Sequence, residues 1–222
     1  MTMAVPAVQT VQEQVVGNLR RLILEGDFAP GDKLQQEELA ALLGVSAMPV
    51  REGLRQLQAE GLVQFIPRRG AQVAVLTTDE LDELYHMREE LEVLALRWAT
   101  EHIGPEELER LHELLRQVEE AETEHDARRR TALIRSFLWT LFETAGRPHL
   151  FEAIRRYYNM TYLFQRQYSA VLDIAARRMQ IYDRMLDAIE AGEVNDAIKA
   201  YRDNYRLIRE TMRVLLEQQG KQ

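Results

Sequence analysis

The sequence predicts a mainly α-helical protein with two domains, a compact N-terminal domain over residues 1–76 and an all-helical bundle over residues 77–222. Three observations support this division. Seven of the eleven glycines and four of the six prolines lie within residues 1–70, where short elements and tight turns are therefore expected. Of the sixteen aromatic residues, only Phe28 and Phe65 precede residue 76. Beyond it a hydrophobic period of about 3.6 residues dominates, which is typical of amphipathic helices.

Three helices are predicted at the start of the N-terminal domain. Helical periodicity covers residues 10–25, and a second helix begins near Glu37 and ends before Gly44. Gly44 suits the tight turn that follows because it tolerates a positive φ, and Ser46 is a plausible N-cap for a third helix that ends near Glu60. In that third helix the expected buried residues are Val50, Leu54 and Leu57, and the expected exposed residues are Ala47, Met48, Arg51 and Arg55.

A β-hairpin is predicted directly after the third helix. Residues 61–66 and 71–75 read as two strands, and Pro67-Arg68-Arg69-Gly70 forms the basic turn between them. A helical hairpin with a glycine turn is common in many folds, but a basic β-hairpin in this position is far more specific. Together these elements predict a winged helix-turn-helix, which binds DNA.

The remainder of the chain is predicted to form a bundle of about six helices without strands. Thr77 and Glu80 fit a capping box before the first of them, and Gly104-Pro105 separates the first from the second. The predicted helices cover about 78–101, 105–124, 127–145, 148–164, 172–191 and 194–218.

Composition excludes several classes of protein. Twenty-eight Lys and Arg against 36 Asp and Glu give a net charge of −8, so any contact with nucleic acid must come from a local patch. Without cysteine there is no disulfide, thiolate zinc site or cysteine nucleophile. The three serines lack the motif of a serine hydrolase, and no phosphate loop is present, so we expect neither an enzyme nor a cofactor. No stretch is apolar enough to span a membrane and no signal peptide is evident, so a cytoplasmic protein is expected.

The DNA contacts are expected on the exposed face of the third helix and at the tip of the hairpin. That helix would enter the major groove with its N-terminal half, and the arginines of the wing would reach a groove edge or phosphates. The predicted contact residues are Ala47, Met48, Arg51, Arg55, Arg68, Arg69 and Gly70. Because a single winged domain offers a small contact area, we expect a homodimer on a palindromic operator.

The N-terminal residues resemble the GntR family of bacterial transcription regulators. The resembling runs are Pro30-Gly31-Asp32-Lys33-Leu34, Glu38-Leu39-Ala40, Gly44-Val45-Ser46, Pro49-Val50-Arg51-Glu52 and Arg69-Gly70. The second half resembles the FCD effector domain of the FadR-like branch, through Glu83-Leu84-Tyr85, Arg88, Leu91-Glu92, Phe137, Ala145-Gly146 and Ala191-Gly192. The resemblance implies a DNA-binding transcription regulator whose operator binding responds to a small-molecule effector in the bundle.

Three positions depart from the family pattern in the DNA-binding half. Glu37 stands where the family usually carries an arginine that contacts the DNA backbone, and Ala47-Met48 replaces an Arg-Thr pair of DNA contacts. An acidic side chain facing phosphate is repulsive, which implies a different operator or a lower affinity. Met48 can still contact a thymine methyl group. These departures leave open an alternative, a helical interaction protein with a weakened or non-functional DNA-binding head.

The metal site of the resembling family is predicted to be absent. Many FCD proteins hold a divalent metal with one aspartate and three histidines, and the corresponding positions here are Ile134, Leu138, Tyr182 and Asn204. Isoleucine and leucine have no donor atom for a metal. The same four positions are therefore expected to line a metal-free effector site.

The effector is expected to be an apolar or aromatic carboxylate. Arg88 would anchor its charge, while Tyr182 and Asn204 would donate hydrogen bonds. Two alternatives stand beside this hypothesis. The aromatic residues of the bundle can close the core without a cavity, and Glu92, four residues after Arg88, can be the anionic partner of that arginine.

Overall fold

The computed structural model describes residues 10–168 and 175–219. Within these ranges, three helices and a β-hairpin precede six further helices, so the predicted fold class is confirmed. The elements are α1 (Val11–Glu25), α2 (Gln36–Leu43), α3 (Ala47–Ala59), β1 (Val63–Ile66), β2 (Gly70–Val73), α4 (Thr78–His102), α5 (Pro105–Thr123), α6 (Ala127–Glu143), α7 (Pro148–Tyr168), α8 (Ala175–Glu190) and α9 (Val194–Gln219). The start of α8, predicted at 172, lies outside the described residues.

The core of the N-terminal unit forms where α1 packs on α3. Val50, Leu54 and Leu57 are fully buried, as their helical spacing predicts. Gly53 allows the close approach of the two helices, because a Cβ atom there would lie 3.2 Å from Leu19 Cδ1. This packing buries one face of α3 and leaves the opposite face to solvent.

The turn between α2 and α3 has the geometry that its glycine predicts. Gly44 adopts a φ of +67°, and its N–H donates to the carbonyl groups of Ala40 and Ala41 at the end of α2. Ser46 occupies the N-cap position of α3 in an extended conformation, but its side chain makes no capping hydrogen bond. The backbone turn therefore sets the start of α3 without help from the serine hydroxyl.

The hairpin is an antiparallel pair in which Val63 lies opposite Val73 and Ile66 lies opposite Gly70. A third segment extends it, because the Leu34 N–H donates to the Ala71 carbonyl over 2.9 Å and Lys33 forms a bridge with Gln72. The segment before α2 is thereby held beside the wing.

The chain divides into two compact units. One contains the described residues up to Thr78 together with Arg156–Arg166 of α7, and the other contains Asp79–Arg155 and the described residues from Gln167 onward. Leu163 of α7 accordingly belongs to the hydrophobic core of the N-terminal unit. Among the described helices, none is both long and apolar enough to cross a membrane.

Candidate DNA-binding surface and effector site

The exposed face of α3 carries the residues that the sequence singled out. Met48 at its N-terminal end is 62% exposed, and the side chains of Arg51 and Arg55 are 48% and 60% exposed. Ala47 is also exposed. The apolar stripe on the other side anchors α3 to α1, so this face is rigidly presented.

One carboxylate lies between the two arginines of α3. Glu52 Oε1 is 3.7 Å from Arg51 Nε and 3.8 Å from Arg55 Nη1. Such long contacts between exposed groups are weak, on the order of 0–1 kcal/mol. Both arginines can therefore exchange Glu52 for a phosphate or a base edge at little cost.

The tip of the wing is a tight turn with an unusual residue in it. The Arg69 N–H donates to the Ile66 carbonyl over 3.0 Å, which closes a four-residue turn around Pro67 and Arg68. Arg68 has a φ of +66°, a left-handed conformation that side chains with a Cβ adopt only at a cost. Proline suits the first central position, but glycine or asparagine would suit the second better than arginine. Strain of this kind is concentrated at functional sites.

A cleft of about 390 Å³ lies between the wing and the start of α2. Its lining includes Lys33, Glu37, Arg69 and Gly70. The structure thus brings two of the predicted contact residues, Arg69 and Gly70, together with Lys33, which the sequence reasoning did not select. Lys33 could have been found as the one basic residue in the run Pro30–Leu34. The same cleft contains Glu37, the acidic departure from the family pattern.

In the bundle, Arg88 is buried and already has an anionic partner. Arg88 is 4% exposed and Glu92 is fully buried, and Arg88 donates to Glu92 Oε1 from Nε over 2.9 Å. The hydroxyl groups of Tyr201 and Tyr205 both donate to Glu92 Oε2 over 2.5 Å. Of the two roles open to Arg88 from the sequence, the pairing with Glu92 is the one that the structure contains.

The pKa values of Arg88, Tyr201 and Tyr205 are shifted in the directions that keep this buried cluster intact. Burial raises the pKa of Tyr201 and Tyr205 well above 10.0, and the charge of Glu92 acts in the same direction, although Arg88 opposes it at Tyr205. Burial acts to lower the pKa of Arg88, but Glu92 and the neighbouring tyrosines outweigh it and the pKa is raised. Both phenols therefore stay protonated and Arg88 stays charged at neutral pH.

The four positions of the family metal site are all buried. Ile134 is 8% exposed, Leu138 1%, Tyr182 0% and Asn204 2%. The ring of Phe137, beside Leu138 in α6, lies 5.1 Å from that of Tyr182 in α8. These side chains do not fit a divalent metal, because two are hydrocarbons and the other two are neutral oxygen donors. In the part of the chain that the structure describes, no group of three or more His, Asp or Glu is placed to hold a metal.

A second arginine, Arg178, lies at this site. Its Nη2 donates to the Tyr182 hydroxyl over 2.7 Å, and its Nε donates to Asn204 Oδ1 over 3.1 Å. The sequence reasoning selected Tyr182 and Asn204 but missed Arg178. The available signal was its position one helical turn before Tyr182, which places both side chains on one face of α8.

Comparison with known proteins identifies both halves of the chain. The model of the bacterial regulatory proteins of the gntR family matches residues 11–73, and the FCD domain model matches residues 83–206. An uncharacterized HTH-type transcriptional regulator of Bacillus subtilis, YdhC, is 35% identical over 108 residues, which are 49% of this chain and 48% of YdhC. The Escherichia coli HTH-type transcriptional regulator McbR is 31% identical over 143 residues, 64% of this chain and 65% of McbR.

Solved structures show the same fold. E. coli McbR/YncC superimposes with a TM-score of 0.83 at 23% identity, covering 95% of this chain and 99% of that one. A putative GntR transcriptional regulator from Rhodococcus sp. RHA1 superimposes with a TM-score of 0.73 at 26% identity, covering 92% of this chain and 97% of that one.

The sequence alignments with these two curated relatives span between about half and two thirds of the relatives' own lengths. The FCD match alone extends over more than half of this chain, and the gntR match accounts for its winged N-terminal unit. The chain belongs to the GntR family of bacterial regulatory proteins, in the branch that carries an FCD domain.

Proposed function

We propose that this protein is a transcription regulator that binds a palindromic operator as a homodimer and responds to a carboxylate effector held without a metal. The observation that carries the DNA-binding part is the rigidly presented face of α3, with Met48, Arg51 and Arg55 exposed beside a basic wing. The metal-free part is supported by the side chains at the four family positions, which include two hydrocarbons.

At the operator, α3 lies in the major groove. Arg51 and Arg55 can donate to guanine or to phosphate, and Met48 can contact a thymine methyl group. Arg68, Arg69 and Lys33 supply sequence-independent contacts to the backbone. Residues 1–76 carry slightly more acidic than basic side chains. DNA binding therefore requires that the basic side chains lie together on the one face that meets the DNA.

Homodimerisation is supported by an apolar stripe on α4. Met87 and Leu94 are 38% and 37% exposed, and Leu91 and Trp98 are half-buried. Their spacing of four, three and four residues places them on one face of the helix, the pattern by which helices pair. A second copy of the chain would cover this stripe and supply the second head for the palindrome. Analytical ultracentrifugation tests it: Leu94→Glu should yield monomers, whereas Arg97→Glu at an exposed neighbouring position should not. A dimer that survives Leu94→Glu would place the interface elsewhere.

The DNA-binding proposal is tested by fluorescence anisotropy on the DNA upstream of the protein's own gene, with random DNA for comparison and a salt series. Arg51→Ala should weaken specific binding by about 5- to 150-fold, because a base-edge contact accounts for about 1–3 kcal/mol. Arg155→Ala is the matched control, since Arg155 is 42% exposed and also pairs with an acid, Glu152, but lies in the C-terminal unit.

The second candidate function is a helical interaction protein whose head no longer binds DNA. The observation that favours it is Glu37, which lies in the cleft beside Lys33 and Arg69, where it would face a phosphate. Operator selection from a random DNA library separates the two functions. An enriched palindrome supports the regulator, and no enrichment at low salt supports the interaction protein.

A further inference from the structure

We propose that Met160, in α7 of the FCD half, is a positioning residue for DNA binding. It closes the turn that joins α3 to β1 and so fixes where the basic tip of the wing lies relative to α3. This inference rests on the proposed contacts of Arg68 and Arg69 with DNA. The observation that carries it is the close approach of Met160 to the backbone of Gly61.

The turn between α3 and the wing is held on two sides by the N-terminal residues themselves. The Leu62 N–H donates to the Leu57 carbonyl in the last turn of α3 over 2.9 Å, and the Ala74 N–H, just beyond β2, donates to the Leu62 carbonyl over 2.9 Å. Leu62 is fully buried. It therefore ties the wing to α3, and Gly61, the residue before it, is where the chain turns away from the helix.

Met160 packs directly against this turn. A Cβ atom at Gly61 would lie 2.5 Å from Met160 Sδ and 2.9 Å from its Cγ and Cε, well inside van der Waals contact. Only the absence of a side chain at Gly61 allows the thioether to lie against the backbone there. Methionine suits such an irregular space because its unbranched side chain adapts to it.

The α7 segment around Met160 is anchored in the core of the N-terminal unit. Leu163, three residues further along the helix, is 5% exposed and belongs to that core, and Tyr162 packs against it. The ring of Tyr162 stacks on that of Tyr158, with 6.1 Å between centroids and 12° between planes. The FCD match covers residues 83–206, so this anchored segment comes from the FCD half of the sequence. The wing is thus held by residues outside the gntR match.

Loss of the Met160 side chain should loosen the wing and leave α3 in place. Truncation leaves a gap beside Gly61 that the surroundings fill only in part. The end of α3 has a separate tether, because Arg20 of α1 donates to both carboxylate oxygens of Glu60 over 2.9 and 2.6 Å. The contacts of the wing with DNA should therefore weaken selectively. Each phosphate contact accounts for about fivefold in affinity at a salt concentration of about 0.15 M, from the counterions it releases.

The test is fluorescence anisotropy of the full-length protein on a random-sequence duplex over a salt series. Met160→Ala should weaken binding by about fivefold and lower the salt slope by about one. Met160→Leu, which refills the space, should restore most of the affinity. The loss should vanish in an Arg68→Ala/Arg69→Ala background, where the wing contacts are already gone, and should persist in full in an Arg51→Ala background.

The matched control is Met179→Ala in α8. Met179 is 7% exposed and belongs to the C-terminal unit, so this variant also removes a packed methionine but should leave DNA binding unchanged. Thermal melting of each variant checks that it is folded at the assay temperature. If Met160→Ala is not folded, the smaller truncation Met160→Val takes its place in the same cycle.

Three results would overturn the assignment. Unchanged binding by the truncated Met160 variant would show that the wing is positioned without α7. A loss of the same size in the Arg68→Ala/Arg69→Ala background would show that Met160 supports the fold as a whole, and it would leave the proposed wing contacts standing. Unchanged binding by Arg68→Ala/Arg69→Ala itself would remove the wing from the DNA interface, and the positioning role with it.

Discussion

Replacement of Glu92 by glutamine should strongly destabilise the C-terminal unit, although the two side chains have nearly the same shape. In the native protein Glu92 accepts hydrogen bonds from Arg88, Tyr201 and Tyr205 and is fully buried. Glutamine can still turn its carbonyl oxygen toward Arg88 and its amide toward the phenol oxygens. What it cannot replace is the negative charge. Arg88, at 4% exposure, then remains a buried cation without the negative charge of Glu92 beside it.

Loss of one member of a buried ion pair costs about 3–5 kcal/mol, and we expect Glu92→Gln to fall in that range. Because both groups are buried, solvent screening does not reduce the figure. Removing the stranded charge as well, in Arg88→Met/Glu92→Gln, should recover about 2 kcal/mol of the loss. Glu90→Gln is the control, since Glu90 is two residues away in α4, 70% exposed, and should change the free energy of unfolding by less than about 0.5 kcal/mol.

Urea unfolding followed by tryptophan fluorescence measures this unit selectively. The two tryptophans of the chain, Trp98 in α4 and Trp139 in α6, both belong to the C-terminal unit. A loss below about 1 kcal/mol in Glu92→Gln would refute the argument. So would a double variant that is less stable than Glu92→Gln alone, because the stranded charge would then not be the source of the cost.

Three further outcomes follow from the same geometry. The pKa values of Tyr201 and Tyr205 are raised above 10.0 in the folded protein, so their contribution to stability is fully present below pH 10 and is lost as the pH rises toward the folded-state pKa values, at up to about 1.4 kcal/mol per pH unit for each phenol. Tyr205→Phe should therefore reduce the dependence of the free energy of unfolding on pH above pH 10, measured by urea unfolding. An unchanged dependence would show that the pKa of Tyr205 is not raised. Arg68→Gly should be more stable than Arg68→Ala by about 1 kcal/mol, because glycine relieves the positive φ, while both lose DNA affinity equally; equal melting temperatures would exclude strain at the wing tip. Lys33→Gln should lower the salt dependence of DNA binding by about one counterion, on operator and random DNA alike, and Glu37→Gln should tighten DNA binding. If neither variant changes DNA binding, or each changes it in the opposite direction, the cleft does not contact DNA.

Much of the architecture could be predicted because its signals are local. The spacing of Val50, Leu54 and Leu57 decides which face of α3 is buried, and this in turn exposes Arg51 and Arg55. A hydrophobic period identifies the buried face of a helix even when the element that packs against that face is unknown. The signal of a turn glycine is equally local, because a positive φ disfavours residues with a side chain wherever the turn lies in the fold.

The buried polar cluster at the family's metal positions could be predicted only in part. Tyr182 and Asn204 were selected through resemblance, but Arg178 was not, because its contact with Asn204 joins residues 26 positions apart in two helices. The role of Arg88 was open for the same reason. Its partner Glu92 is local, but the two phenols that complete the carboxylate's hydrogen bonds come from α9, 109 and 113 residues further along the chain.

The sequence by itself determined the helices, the hairpin, the buried stripe of α3 and the family to which the chain belongs, because each depends on residues close together in the chain. Only the tertiary structure decided which charges meet. It paired Arg88 with Glu92 and two phenols, placed Arg178 beside Tyr182 and Asn204, and set Lys33 and Glu37 in one cleft with Arg69. The physical reason is that a charged side chain is long and finds its partner across the helix packing, which no local period encodes.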